Sequence, residues 1–110
     1  MNILFLCTAN SERSPTAEKL FEYSQGYEAR SAGVHPAAYR VVNQDLVDWA
    51  DKIFVMSEKE DGHLTFLKQQ ADISGKSVYD LDIPDIFPRG DPELVNLLYE
   101  RLSYYLDLDI

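Results

Sequence analysis

The sequence of 110 residues holds a single cysteine, Cys7. An internal disulfide is therefore excluded, and so is a metal site built on several thiolates. Long hydrophobic runs are also missing, since none approaches the roughly 20 apolar residues that cross a bilayer. The first apolar stretch, Ile3 to Leu6, lacks a basic flank and runs into a charged loop, unlike a signal peptide. The expectation is a cytoplasmic protein whose lone thiol stays reduced. Positive charge is scarce: 10 Lys and Arg stand against 19 Asp and Glu, a net charge of −9. Such a field repels nucleic acid and anionic membranes. It also repels phosphorylated substrates, so any phosphate site must be a local positive exception. Of the five prolines and five glycines, Pro84, Pro88 and Gly90 fall within a few residues, which marks 82–90 as a loop.

What remains is the pattern of one α/β domain over residues 1–110. Ile3 to Leu6 read as a strand buried on both faces, as in a parallel sheet. Further strands are expected at 27–31, 52–56 and 77–81. Helices alternate with them. The first opens at Ser14-Pro15, with Ser14 as cap, carries Ala17, Leu20 and Phe21 on one face, and stops at Gly26. The second is capped by Asn43. The third opens on the capping box Ser57-Glu58-Lys59-Glu60, with Gly62 as a distorting residue. The last follows Asp91-Pro92-Glu93 and places Leu94, Leu98, Leu102 and Tyr105 at helical spacing. Alternation of this kind predicts a parallel sheet with helices on both faces, a three-layer arrangement that binds ligands at the carboxyl ends of its strands. Cys7, Ser31, Ser57 and the 82–90 loop all lie at those ends.

The chemistry concentrates in Cys7-Thr8-Ala9-Asn10-Ser11-Glu12-Arg13-Ser14-Pro15. A polar loop running from a strand into a helix start offers backbone amides to an anion without net charge. Arg13 adds a planar fork that matches two phosphate oxygens. The same surroundings favour the thiolate of Cys7, the nucleophilic form. Asn10 tolerates a left-handed backbone and can brace the loop from inside. Ser14 can donate to the thiolate. A cysteine after a buried strand is commonly mere packing, and Cys-x5-Arg alone is a weak pattern. The full run at a strand–helix junction is far more specific.

This loop resembles that of the low-molecular-weight protein tyrosine phosphatase family, with Leu4-Phe5-Leu6-Cys7-x2-Asn10-x2-Arg13-Ser14-Pro15-x-Ala17-Glu18 matching its signature and Ser31-Ala32-Gly33 a second segment. The element order agrees over essentially the whole chain, in a form shorter than usual members, like a compact bacterial branch. The resemblance implies a four-stranded parallel sheet, a cysteinyl-phosphate intermediate, and neither metal nor other cofactor. By motif, Cys7 is the nucleophile and Arg13 the phosphate clamp. Thr8 to Glu12 with Ser14 line the phosphate, and Ser31 supports Asn10. His35 lies near the loop by the same analogy, although a solvated loop histidine explains it as well. The general acid of the family precedes the last helix in an Asp-Pro-aromatic loop. Here Ile83-Pro84-Asp85-Ile86-Phe87 occupies that place, which makes Asp85 the acid and Phe87 the ring beside the substrate. Ile86 departs from the pattern, and Asp82, then Asp91, are the alternatives.

Substrate choice is open at this stage. The residue four after the cysteine is bulky in the family's tyrosine phosphatases and threonine in its arginine phosphatases; here it is Ser11. Glu12 replaces a second cysteine. The expected partner is a phosphorylated protein or small phosphomonoester, with no nucleic acid and no membrane. Phosphotyrosine is the first choice and phosphoarginine the competitor. An arsenate reductase of the same fold and a non-catalytic phosphate-binding module are further alternatives, the former lacking its resolving cysteines. His63 reads as a surface residue, Trp49 and Phe54 as core, and 107–110 as a frayed end.

Overall fold

Ile3 to Leu6 offer no polar side chain to either face, so the strand that carries them must be covered twice. They form the middle of β1 (Asn2–Cys7) in the computed structural model, which describes residues 1–108. β1 pairs in parallel with β2 (Glu28–Gly33) on one side and β3 (Lys52–Val55) on the other. β4 (Ser77–Asp80) adds to β3, again in parallel, so the sheet runs β2-β1-β3-β4. The two central strands are the apolar ones, and the edge strand β2 is the mixed sequence Glu-Ala-Arg-Ser-Ala-Gly.

The period of two along β1 separates the core into two layers. Ile3, Phe5 and Cys7 face one side, with Ala17 and Phe21 from the first helical segment and Leu94, Leu98 and Leu102 from the last. Leu4 and Leu6 face the other, with Leu46, Val47 and Leu67. Phe5 stacks between Phe21 and Phe54, at 5.8 and 5.5 Å between ring centroids. The helices supplying these residues are α1 (Arg13–Leu20), α2 (Gln44–Trp49), α3 (Glu58–Asp61), α4 (His63–Gln70) and α5 (Pro92–Leu102). None of the helices among the described residues is long and apolar enough to cross a membrane.

Several boundaries differ from the sequence reading. α1 begins at Arg13, with Glu12 in the cap position making no side-chain cap bond. Ser14 cannot cap because its hydroxyl is engaged by Cys7 and Asn10. Pro15 then falls at the third helical position, where its missing N–H is still one the helix leaves unpaired. The helix stops at Leu20 rather than reaching Gly26, and β2 runs on to Gly33. Gly62 does more than distort the third helix: at φ 65° it ends α3 in a left-handed turn and starts α4. The capping box is half realised. Ser57 Oγ accepts from the Glu60 amide at 3.1 Å, but the Ser57 amide donates to His63 Nδ1 at 3.0 Å, not to Glu60. Asn43 and Asp91 cap their helices as read, accepting from Leu46 and Glu93 amides. α5 ends at Leu102, so Tyr104 and Tyr105 lie in the following turn, where Tyr105 packs on Tyr79 at 4.5 Å. Asp107 and Leu108 are anchored, through the Tyr27 hydroxyl and by packing on the core, rather than frayed. Asp109 and Ile110 of that expected loose end lie outside the described residues.

Candidate active site

β1 ends at Cys7, and the chain curls through residues 8–12 into α1. Asn10 takes the left-handed conformation (φ 57°) that reverses the loop. Among the described residues, the backbone amides from Ala9 through Ser14 donate to no protein acceptor. Amides left unpaired at a helix start form an anion cradle. Cys7 is buried, and its Sγ lies 3.0 Å from Ser14 Oγ. Asn10 Nδ2 donates to Ser14 Oγ at 3.0 Å and to Ser31 Oγ at 2.9 Å, so the expected Ser31 brace is present.

The second support of the loop is Gly33. A Cβ there would come within 2.5 Å of the Thr8 carbonyl oxygen and 2.6 Å of the Ala38 Cβ. Only glycine allows this approach of two backbones. The 34–41 segment then ties back, with the His35 amide donating to the Thr8 carbonyl and the Tyr39 amide to the Ala9 carbonyl. The His35 ring does not touch Asn10; it is exposed and its Nδ1 accepts from the Ala37 amide within its own turn. His35 serves the loop through its backbone.

Arg13 is 1% exposed. Its Nη1 donates to Asp61 Oδ2 at 2.8 Å and to the Ile83 carbonyl at 2.9 Å. Its Nε lies 3.7 Å from Asp85 Oδ1. Nη2 has no protein partner among the described residues. Of the three candidate acids, Asp85 is thus the one brought to Arg13, with its carboxylate half exposed. Asp82 sits in a left-handed turn (φ 52°), and its amide donates to Asp80 Oδ1. Asp91 is occupied as the α5 cap. Phe87 is half-buried against the core, while Ile86 projects, 73% exposed. Ser11 and Glu12 are half-exposed. Beside Ser11 lies a cleft of about 380 Å³, into which Tyr39, Arg40 and Arg89 also face.

The residue that the sequence reading misplaced is His63. It is fully buried rather than on the surface. Its Nδ1 accepts from the Ser57 amide, and its Nε2 lies 2.9 Å from Thr8 Oγ1. Burial, and then the nearby Arg13 charge, push its pKa down to about 4, against the opposing pull of Asp61, Asp80 and Asp85. Asp61 was missed as well. The only advance signal was Gly62, since a glycine between them lets the chain turn and present both neighbours to the loop.

A thiol at the base of an unpaired amide cradle, with a buried arginine at the cradle's end, is an arrangement suited to nucleophilic attack on a phosphate. Residues 2–47 match the family model described as low molecular weight phosphotyrosine protein phosphatase. No curated protein matches the sequence. Among solved structures, the chain is similar to Wzb of Vibrio vulnificus in complex with benzylphosphonate, at 23% identity over 94% of this chain and 95% of that one, TM-score 0.73. It is similar to a low molecular weight protein tyrosine phosphatase of Bacillus subtilis, at 22% identity, 96% and 99% coverage and TM-score 0.68. It is also similar to the YwlE arginine phosphatase of Geobacillus stearothermophilus, at 26% identity, 94% and 90% coverage and TM-score 0.57. The family match covers less than half of the chain, and the solved structures share its fold.

Proposed function

We propose that the chain hydrolyses phosphorylated protein side chains, phosphotyrosine first among them, through a phosphoryl group carried on Cys7. The observation that carries this reading is the row of unpaired amides from Ala9 to Ser14 around the Cys7–Ser14 contact. The thiolate attacks phosphorus while the bond to the leaving oxygen breaks. Asp85 gives its proton to the departing phenoxide, which is poor at leaving unprotonated. The Asp85 carboxylate then takes a proton from water, whose oxygen attacks phosphorus and releases the thiolate and inorganic phosphate. Ser14 donates to Sγ and stabilises it as it leaves. Arg13, held on two sides, keeps Nη2 for the phosphoryl oxygens, and the amides follow the charge as it shifts. In a chain of net charge −9, Arg40 and Arg89 beside Ser11 supply cationic surface for protein lying next to the phosphate.

A second reading, phosphoarginine, is favoured by the acidic side chains at this site. Asp61 and Asp85 flank Arg13, Glu12 lies in the loop, and Ser11 is small and hydroxylic. These groups suit a guanidinium leaving group, whereas Phe87 is partly taken up by the core. The deciding experiment compares turnover of phosphotyrosine and phosphoarginine peptides by wild type and Ser11→Ile. Preference for phosphotyrosine in wild type supports the first reading. A phosphoarginine preference that Ser11→Ile abolishes supports the second and removes the first.

A further inference from the structure

The Asp61-Gly62-His63 corner reaches both ends of the phosphate loop, with Asp61 on Arg13 and His63 on Thr8. The hydrogen bonds at His63 fix where its proton is. The Ser57 amide can only donate, so Nδ1 must be its acceptor and carries no hydrogen. The single proton of the neutral ring is therefore on Nε2, and Nε2–H donates to Thr8 Oγ1. Thr8 Oγ1 accepts there, so its own hydrogen is turned elsewhere. Among the described residues it has no other protein partner. Thr8 is half-exposed and directly follows Cys7. Of the other loop hydroxyls, Ser14 is deep and already faces Sγ, and Ser11 is half-exposed and lines the cleft with Arg40 and Arg89.

We propose that His63 is a positioning residue that turns the Thr8 hydroxyl into an oxyanion donor at the loop. The neutral imidazole uses up the acceptor face of Oγ1 and leaves the O–H for a phosphoryl oxygen, which replaces water there on binding. A charged imidazole would keep the Nε2–H donor but set Nδ1–H against the Ser57 amide, so the neutral ring is the form this geometry holds. Gly62 in its left-handed turn lets one corner of backbone hold the arginine and aim the hydroxyl together. This inference rests on the phosphate-binding part of the reading above, not on hydrolysis.

The test measures inorganic phosphate binding by titration calorimetry near pH 7, with KM and kcat for p-nitrophenyl phosphate alongside. Removing one hydrogen bond to an anion in Thr8→Val raises the phosphate Kd about tenfold. Thr8→Ser, which keeps the hydroxyl, stays within about twofold of wild type on the same reasoning. His63→Leu weakens phosphate binding to a similar extent, and the double variant is no weaker than the weaker single, because the two act in series. Wild-type phosphate affinity in Thr8→Val overturns the proposal. So do losses in the two singles that multiply in the double. If His63→Leu does not fold, the Thr8→Val and Thr8→Ser pair still decides. A wild type that binds phosphate but hydrolyses no ester defeats the phosphatase reading and leaves this proposal standing. A wild type that hydrolyses while Thr8→Val binds phosphate unchanged does the reverse.

Discussion

The two flanks of the phosphate loop are held by different means. On the β2 side, Asn10, Ser14 and Ser31 form a buried, uncharged network, and Gly33 meets the loop backbone to backbone. On the β3 side, a single turn around Gly62 sends in an ionised carboxylate and a neutral imidazole, Asp61 and His63. The first flank is local, built from two adjacent strands and the residues nearest the nucleophile. The second crosses about half the chain and delivers the charged partner of the arginine. A neutral network shapes the cradle, and the charged corner holds its arginine. A buried arginine left without Asp61 would be a costly unpaired charge.

Cys7→Ser should lower hydrolysis of an aryl phosphate by more than about 10⁴-fold while leaving the fold intact, since it removes the proposed nucleophile between the two flanks. Retained turnover, insensitive to this change, would mean that neither flank surrounds the reacting group. Asp85→Asn should lower kcat by about 10²–10⁴-fold for a poor leaving group, the range of general acid catalysis, and much less for an activated phenol. Equal losses for both leaving groups would remove Asp85 from that role.

The charged flank should also show itself in acid stability. His63 is protonated in the folded state only near pH 4, whereas an unfolded histidine takes its proton near 6.5. Between these values the unfolded chain binds more protons. The stability from keeping His63 neutral is therefore fully present above about pH 6.5 and is lost as the pH falls towards 4, by up to about 3 kcal/mol. Urea denaturation of wild type and His63→Gln across pH 4–8 isolates this part as a difference: the gap between them should be widest at high pH. A constant gap would show that the imidazole is not held neutral. The smallest effect belongs to the uncharged flank. Gly33→Ala should cost about 1–3 kcal/mol by overpacking, measured by urea midpoint, because the new methyl meets the Thr8 carbonyl. An unchanged midpoint would show that the two backbones can separate freely.

The same contrast explains what could be read from sequence. The apolar run into Cys7, the fixed spacing to Arg13 and the strand–helix alternation gave the parallel sheet and placed the loop at its carboxyl edge, because these are local patterns. Asn10 with Ser31 was implied by the family resemblance and not by any local pattern, since the two lie 21 residues apart. Boundaries failed where side chains were drawn into the site: Ser14 reads as a cap, but the thiol and Asn10 claim its hydroxyl. His63 reads as surface because it follows a polar stretch, Glu58 to Gly62. Its burial depends on the left-handed turn at Gly62 and on an amide at Ser57 that no periodicity reveals. Long-range pairing of Asp61 with Arg13 leaves no trace in spacing at all.

If both flanks converge on a cysteine that carries the phosphoryl group, that group must be found on Cys7 during turnover. Rapid acid quench of the protein during turnover of p-nitrophenyl phosphate, followed by mass spectrometry of the peptide containing residue 7, tests it most directly. One phosphoryl group is expected on Cys7, accumulating further in Asp85→Asn with an activated ester, because the departing phenoxide needs little help while release by water still lacks its base. Turnover with Cys7 unmodified at every time point, or phosphoryl found on another residue, would contradict it.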